Sequence, residues 1–550
     1  MTRQRTSTLD SARPLLSHHD TDDDLLWQQQ RSRHYGGTDA TVARAPPHVN
    51  DDDDDDNNVG DDDHDDGLED YIMHFDDDPD NPQNWPASFK WSVVALLAMT
   101  AFSVTFNCIS LVPLAPSIVR SLTPPPSSDT STPTPTPSPS LKSASVLLVT
   151  IWELGEAAGP LLIAPLSELF GRYPTLNISN LLLICFTILT ATATSVPTLI
   201  LSRCLTGLAV ASNVLNPAIV GDMFPSDQRG ERHVAHLHCT LLLEGRVGWR
   251  KVVWGVVGLS TFCEVLFLCL FKETYKVAIV KRRVMREKHS SRLASIGGKS
   301  KSKTSKREAW KKLRDSVLRP FLVVFGSGLL MALSLLGSVT FSYFYVVSVT
   351  LPEILEDKYG LSGAVKGLCF MGFTVGSFVA VLTCNAFLDR IYIALRDRDA
   401  ALTQPCSPDD CLPKEKPEYR LPLTILGAFS MPFAITFYGW VAQLSLPLPL
   451  LLIACGLIGA NTMMTLIPLM AYVVDAFGLV SASAMTGVIV SRCLMGTFLP
   501  LAAAPLVDSF GYGCGFMVFG AMSLALAPIS VVVFRYGERW RQFCKYSRVE

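Results

Sequence analysis

The stretch Ala164–Pro174, APLSELFGRYP, sets a carboxylate, a glycine and an arginine between two long apolar runs. The run before it, Ser145–Leu166, and the run after it, Thr175–Val196, are each long enough for a helix to cross a hydrocarbon core of ~30 Å. A short polar turn therefore joins two membrane helices. In such a turn Glu168 and Arg172 can pair near the helix ends, while Gly171 permits close backbone approach or a positive φ. An ordinary polar hairpin turn is the plainer reading of the same charges.

The rest of the chain has the same character. Of its 550 residues 49% are hydrophobic, and the mean hydropathy of +0.29 is too high for a soluble chain of this length. Windows of about 19 residues add spans at Trp91–Val119, Thr198–Asp222, Val252–Phe271, Pro320–Thr350, Gly367–Leu388, Leu421–Gln443, Leu446–Val474, Leu479–Ala503 and Cys514–Phe534, making eleven in all. Pro320–Thr350 is longer than a bilayer requires and is expected to tilt or protrude. The fold class is an all-α, polytopic membrane protein. No cleavable signal peptide is read, so the first span is expected to direct insertion itself.

The polar segments carry unequal charge. Residues 1–90 hold long aspartate runs, including Asp51–Asp56, and too few apolar residues for a core, so a solvated, disordered acidic tail is expected. EF-hand spacing is missing from it. Between Phe271 and Pro320 lysines and arginines crowd one linker, which belongs on the cytoplasmic side and would be drawn to anionic lipid headgroups rather than to nucleic acid. The Pro/Ser/Thr-rich segment Ser121–Ser140 reads as an extended outer loop. The 14 cysteines show no regular spacing and imply no disulfide framework, and Cys406 and Cys411 alone are a weak metal signal. No cofactor and no metal centre is read.

Asp78–Trp85 (DPDNPQNW), then GPLLIAPLSELFGRYP, then LSRCLTGLAVASNVLNPAIVGDMFP resemble the fungal drug:proton antiporters of the major facilitator superfamily. GWRKVVW, FKETYK and Tyr472–Gly513 continue the resemblance in the same order. It implies two pseudo-symmetric six-helix halves around a central cavity, alternating access, and proton-coupled export of small amphipathic molecules such as drugs, toxins or secondary metabolites. The implied organisation is an acidic cytoplasmic tail (1–90), an N-terminal half (91–271), a basic linker (272–319), a C-terminal half (320–535) and a short cytoplasmic tail (536–550). A multi-pass monomer of the plasma membrane with both termini cytoplasmic is expected, with protons, a small-molecule substrate and lipid as partners. An enzyme is not expected, since paired HxxxH boxes, a nucleophile elbow and a phosphate-binding glycine loop are all missing.

The same resemblance assigns Glu168, Gly171 and Arg172 to a gating latch, with Ala164 and Leu169 departing from the usual glycine and arginine. It matches Arg203 to the superfamily's membrane arginine of proton transfer. Snorkelling to headgroups or capping a neighbouring helix is the alternative for Arg203. Glu153 and Glu156 lie three apart and share one helix face, which suits a proton carrier in low dielectric, unless the pair simply meets water at an outer helix end. Glu264 and Arg492 are further intramembrane charges, expected to be paired or functional. Asn107, Phe341, Tyr343, Phe344, Tyr345 and Asn461 are candidates for a substrate cavity, with helix packing as the competing use of the aromatics.

One region departs from the family. Where a fifth helix is expected, between Gly230 and Gly248, the apolar core shrinks to Cys239–Leu243, too short to span a bilayer. His233, His236, His238 and Cys239 cluster there, but a zinc site is a weaker reading than a deletion, unusual splicing or a faulty gene model. With the tail inside, five spans would put the basic linker outside, against the positive-inside bias. An inactive or impaired transporter-like remnant is therefore the second functional reading.

Overall fold

A computed structural model of the chain describes residue 78 and residues 81–123, 139–210, 212–223, 248–280, 282–283, 306–361, 364–402 and 416–543. The aspartate runs, the Pro/Ser/Thr-rich loop at 124–138, most of the basic linker, Cys406, Cys411, the His/Cys cluster and the stretch 224–247 that bears on the fifth helix lie outside these residues.

Backbone polar groups within a bilayer core find no water and must be satisfied inside their own segment, which for a single chain run means a helix. The described residues before the linker form α1 (Ala87–Ile109), α2 (Ala115–Leu122), α3 (Pro139–Phe170), α4 (Arg172–Thr192), α5 (Val196–Leu208), α6 (Ser212–Met223) and α7 (Trp249–Leu270). After it come α8 (Lys306–Gly326), α9 (Gly328–Asp357), α10 (Ala364–Cys369), α11 (Met371–Leu402), α12 (Pro422–Gln443), α13 (Leu448–Phe477), α14 (Ser481–Leu526) and α15 (Pro528–Phe543).

Among the described residues, nine helices are long and apolar enough to cross a membrane. The eleven spans read from sequence differ in two places. Thr198–Asp222 is broken: α5 ends at Leu208 and α6 starts at Ser212, so neither piece alone has membrane length. Leu479–Ala503 and Cys514–Phe534 instead share α14, where Gly511 (φ 75°, ψ 171°) turns the chain between two helical pieces. Glycine alone takes that φ at low cost. Pro320–Thr350 is interrupted, because the Ser327 side chain accepts the Leu330 N–H (3.3 Å) and starts a new helix, α9, of 30 residues.

The chain divides into two compact units, one of Met1–Lys90, Ala218–Val234 and Thr274–Gly298, the other of Trp91–Pro217, Ala235–Glu273 and Lys299–Glu550. In the first, Asn81 Oδ1 caps the Gln83 N–H (3.0 Å), Asn84 Nδ2 donates to Asp78 O (3.0 Å), and Arg283 forms an ion pair with Asp78. Thr274 Oγ1 donates to Asp222 Oδ2 at 3.3 Å.

The second unit holds the membrane helices. There α4 and α7 run antiparallel: Arg250 Nη2 donates to Ala193 O (2.9 Å) at one end, and Tyr173 stacks on Phe271 at the other (centroids 6.1 Å apart). The beginning of the linker, at Glu273, is thus at the same end as the Gly171 turn.

Packing rests on bare backbone contact at two matching crossings. A Cβ at Gly155 of α3 would collide with Cys204 O of α5, and one at Gly376 of α11 with Gly456 O of α13. Lipid tails are as apolar as leucine, so close approach, not hydrophobicity, supplies this association.

Beyond α14, the end of α15 is pinned by a buried, bidentate ion pair. Arg541 Nε and Nη2 donate to Glu418 Oε1 and Oε2, each at 3.0 Å, and both side chains are under one-tenth exposed. Arg541→Met is expected to cost about 3 kcal/mol, because it strands a buried carboxylate, while Glu418→Met/Arg541→Met restores most of the loss. Thermal unfolding of the three proteins reads this, and a double variant as unstable as the single would contradict it.

Candidate functional site

The site begins where α1 breaks. A helix leaves its last carbonyls without intrahelical partners. After Ile109 the oxygens of Asn107 and Cys108 are taken instead by Arg203 of α5, through Nη1 (2.9 Å) and Nη2 (2.8 Å). The guanidinium also lies over the Trp152 ring, 4.7 Å from its centroid, and the residue is 1% exposed. Arg203 therefore does not snorkel. It caps a neighbouring helix end, where a cation also answers the negative end of the helix dipole.

Trp152 leads directly to the paired carboxylates of α3. Its Nε1 donates to Glu156 Oε2 (3.2 Å), and Glu156 Oε1 accepts from Arg492 Nη2 of α14 (3.3 Å). One turn away, Glu153 Oε1 accepts the hydroxyl of Tyr345 of α9 at 2.5 Å, while its Oε2 is buried with no hydrogen-bond partner. Glu153 and Glu156 are 2% and 6% exposed. The reading in which they meet water at a helix end is thus overturned. Burial of two carboxylates is tolerated because a guanidinium, an indole N–H and a phenol face them.

Arg492 also sits 4.2 Å from the Phe341 centroid, and Phe341, Phe344, Tyr345 and Phe373 form a continuous aromatic wall. Three other cavity candidates are engaged in packing. Tyr343 is fully buried and donates to Phe519 O (2.9 Å). Asn107 Nδ2 donates to Thr187 Oγ1 (2.9 Å), and Asn461 Oδ1 accepts from Ser430 Oγ (2.8 Å). Glu264 lies elsewhere, bonded through Oε2 to Asn180 Nδ2 (2.8 Å).

Ligand atoms of Glu153, Glu156 and Cys493 lie within 4.8 Å of one another, a spacing a metal ion could bridge. Arg492 already supplies positive charge to Glu156, which opposes a second cation there.

In the turn, Gly171 takes φ 100°, but Glu168 is exposed and makes no ion pair among the described residues. Arg172 Nη1 donates instead to Ser167 Oγ (2.5 Å). The carboxylate that closes on the turn is Glu273, which accepts the backbone N–H groups of Arg172 (2.8 Å) and Tyr173 (3.3 Å) at the start of α4. Its only sequence signal was its place in FKETYK. A carboxylate at a helix N-terminus meets both orphan donors and the positive end of the dipole.

Membrane-length helices tied across a polar seam of buried charges define an integral, multi-pass membrane protein. Residues 93–232 match the description Major Facilitator Superfamily. It is 28% identical to an MFS transporter of Aspergillus oryzae, cpaT, over 86% of this chain and 91% of that one. It is 29% identical to the efflux pump radE of Floropilus chiversii, over 86% and 84% of the two chains. A crystal structure of a D-xylose–proton symporter shares the fold with TM-score 0.55 and 16% identity, over 80% of this chain and 97% of that one. The human organic anion transporter MFSD10 does so with TM-score 0.53 and 16% identity, over 81% and 100%.

Glu273→Ala removes the cap on α4 and is expected to weaken that helix start by about 1 kcal/mol. Hydrogen exchange at the Arg172 and Tyr173 amides should then quicken roughly fivefold, whereas unchanged rates would assign the cap no energetic role.

Proposed function

We propose that the protein exports small amphipathic molecules, such as secondary metabolites or toxins, in exchange for protons by alternating access. The observation that carries this is the pair of bonds joining the two halves: Glu153 to Tyr345 and Glu156 to Arg492. Each carboxylate belongs to the half before the linker and each partner to the half after it. Opening the transporter along this seam has to part them. A proton on either carboxylate removes the negative charge that holds its partner, so proton binding and parting of the halves are linked.

Arg203 acts through α1 rather than on the proton: it fixes the broken helix end beside Trp152, which in turn orients Glu156. Phe341, Phe344 and Tyr345 offer a flat apolar wall beside the charges, suited to an amphipathic guest. The printed name of the radE relative is efflux pump, which supports the export direction. We assign the protein to the plasma membrane with both termini and the basic linker cytoplasmic, in keeping with the positive-inside bias. An impaired transporter-like remnant is the second reading, favoured by the short apolar core at Cys239–Leu243.

Export of rhodamine 6G from fungal cells overexpressing the full chain tests both. Export should follow an imposed proton gradient and fall by about tenfold or more in Glu153→Gln, Glu156→Gln and Arg203→Ala, at unchanged membrane abundance. Undiminished export in all three variants would overturn the site assignment, and no export by the wild-type chain across a panel of amphipathic dyes would favour the remnant.

A further inference from the structure

The two halves meet a second time, at the end of the bundle away from the Gly171 turn. Lys142 stands in the first turn of α3, ~40 Å along that helix from Gly171 at 1.5 Å per residue. Its Nζ lies 2.7 Å from Asp508 Oδ1 of α14 and 3.5 Å from Glu353 Oε1 of α9. Arg120, at the end of α2, places Nη1 3.4 Å from Glu356 Oε1 of α9. In each pair the cation comes from the half before the linker and the carboxylate from the half after it. The Glu153–Glu156 seam lies deeper, ~16–21 Å further along α3, and uses none of these groups.

The two pairings are built differently. Among the described residues, Lys142 is the one cation paired with Glu353 and Asp508. Glu356 has a second cation, because Lys366 of α10 donates to its Oε2 at 2.6 Å, closer than Arg120. Lys366 belongs to the same half as Glu356, and its side chain is largely buried. One carboxylate is thus shared between a cation from each half.

We propose that these pairs latch the far end of the transport path, and that Lys366 sets how readily the latch opens. The assignment rests on the reading in which the halves part in alternating access. On parting, Lys142 gives up both of its carboxylates. Glu356 gives up Arg120 but keeps Lys366, so its charge is never left unpaired. In the closed arrangement Lys366 already offsets the charge on Glu356, and as a like charge it weakens the hold of Arg120. Removing the Lys366 cation therefore leaves Glu356 dependent on Arg120 and tightens the closed arrangement, whereas removing Lys142 loosens it. Partly exposed pairs are weak, so each change shifts the equilibrium by about fivefold and not by orders of magnitude.

The native thiol of Cys493 reads the opening. It is fully buried at the seam, within 4.8 Å of ligand atoms of Glu153 and Glu156, so a reagent outside reaches it only when the far end is open. A membrane-impermeant methanethiosulfonate is applied to spheroplasts of cells expressing the full chain, and the modified Cys493 peptide is quantified by mass spectrometry. No transport substrate is needed. At unchanged surface abundance, Lys142→Gln should speed modification about fivefold and Lys366→Gln should slow it about fivefold. Adding Arg120→Gln to Lys366→Gln should abolish the slowing. Faster modification in Lys366→Gln, or one measurable rate in all the variants, would overturn the latch and leave alternating access standing. A Cys493 that is modified in none of them would overturn the parting of the halves at this end, and the latch with it.

Discussion

A guanidinium inside a bilayer must be met by acceptors, and in this protein Arg203 finds them in a helix that stops short. The two carbonyls it takes exist as free acceptors only because α1 ends at Ile109. That contact holds α5 against the end of α1 and seats the guanidinium over Trp152. Trp152 then fixes Glu156, and the α3 helix sets Glu153 one turn away. Placement of Glu153 and Glu156 thus follows from how one buried cation is satisfied.

The seam between the halves has the opposite energetic character. Its bonds join groups that are costly to strand when separated, so in the proposed transport cycle each has to be exchanged for something else. A proton, water or the guest itself can serve for a carboxylate. The aromatic wall formed by Phe341, Phe344, Tyr345 and Phe373 has no such requirement and can part from a guest without leaving a charge behind.

Much of the architecture was legible in the sequence because membrane helices announce themselves by length and apolarity alone. The helices either side of the Gly171 turn fall within a few residues of the ranges read from hydropathy. Breaks inside apolar runs were not legible, since Ser327, Ala209 and Gly511 interrupt helices without interrupting hydropathy. For the site, the spacing of Glu153 and Glu156 on one face was readable from helical periodicity. Their partners were not, because Tyr345 and Arg492 lie far along the chain, and only tertiary packing brings them to α3. Glu168 and Glu273 show the same limit. Proximity in sequence favoured Glu168 as the partner at the turn, yet the backbone donors of α4 point toward the end of α7.

The glycine crossings bear on how such a sequence can drift. Where Gly155 meets the backbone at Cys204, and Gly376 that at Gly456, no side chain stands between the helices to change rotamer or exchange volume with a neighbour. A substitution there has no local compensation and would have to be answered by moving a whole helix. Sequence change is therefore channelled to the faces turned away from these crossings, so that those faces can diverge while each helix pair keeps its register.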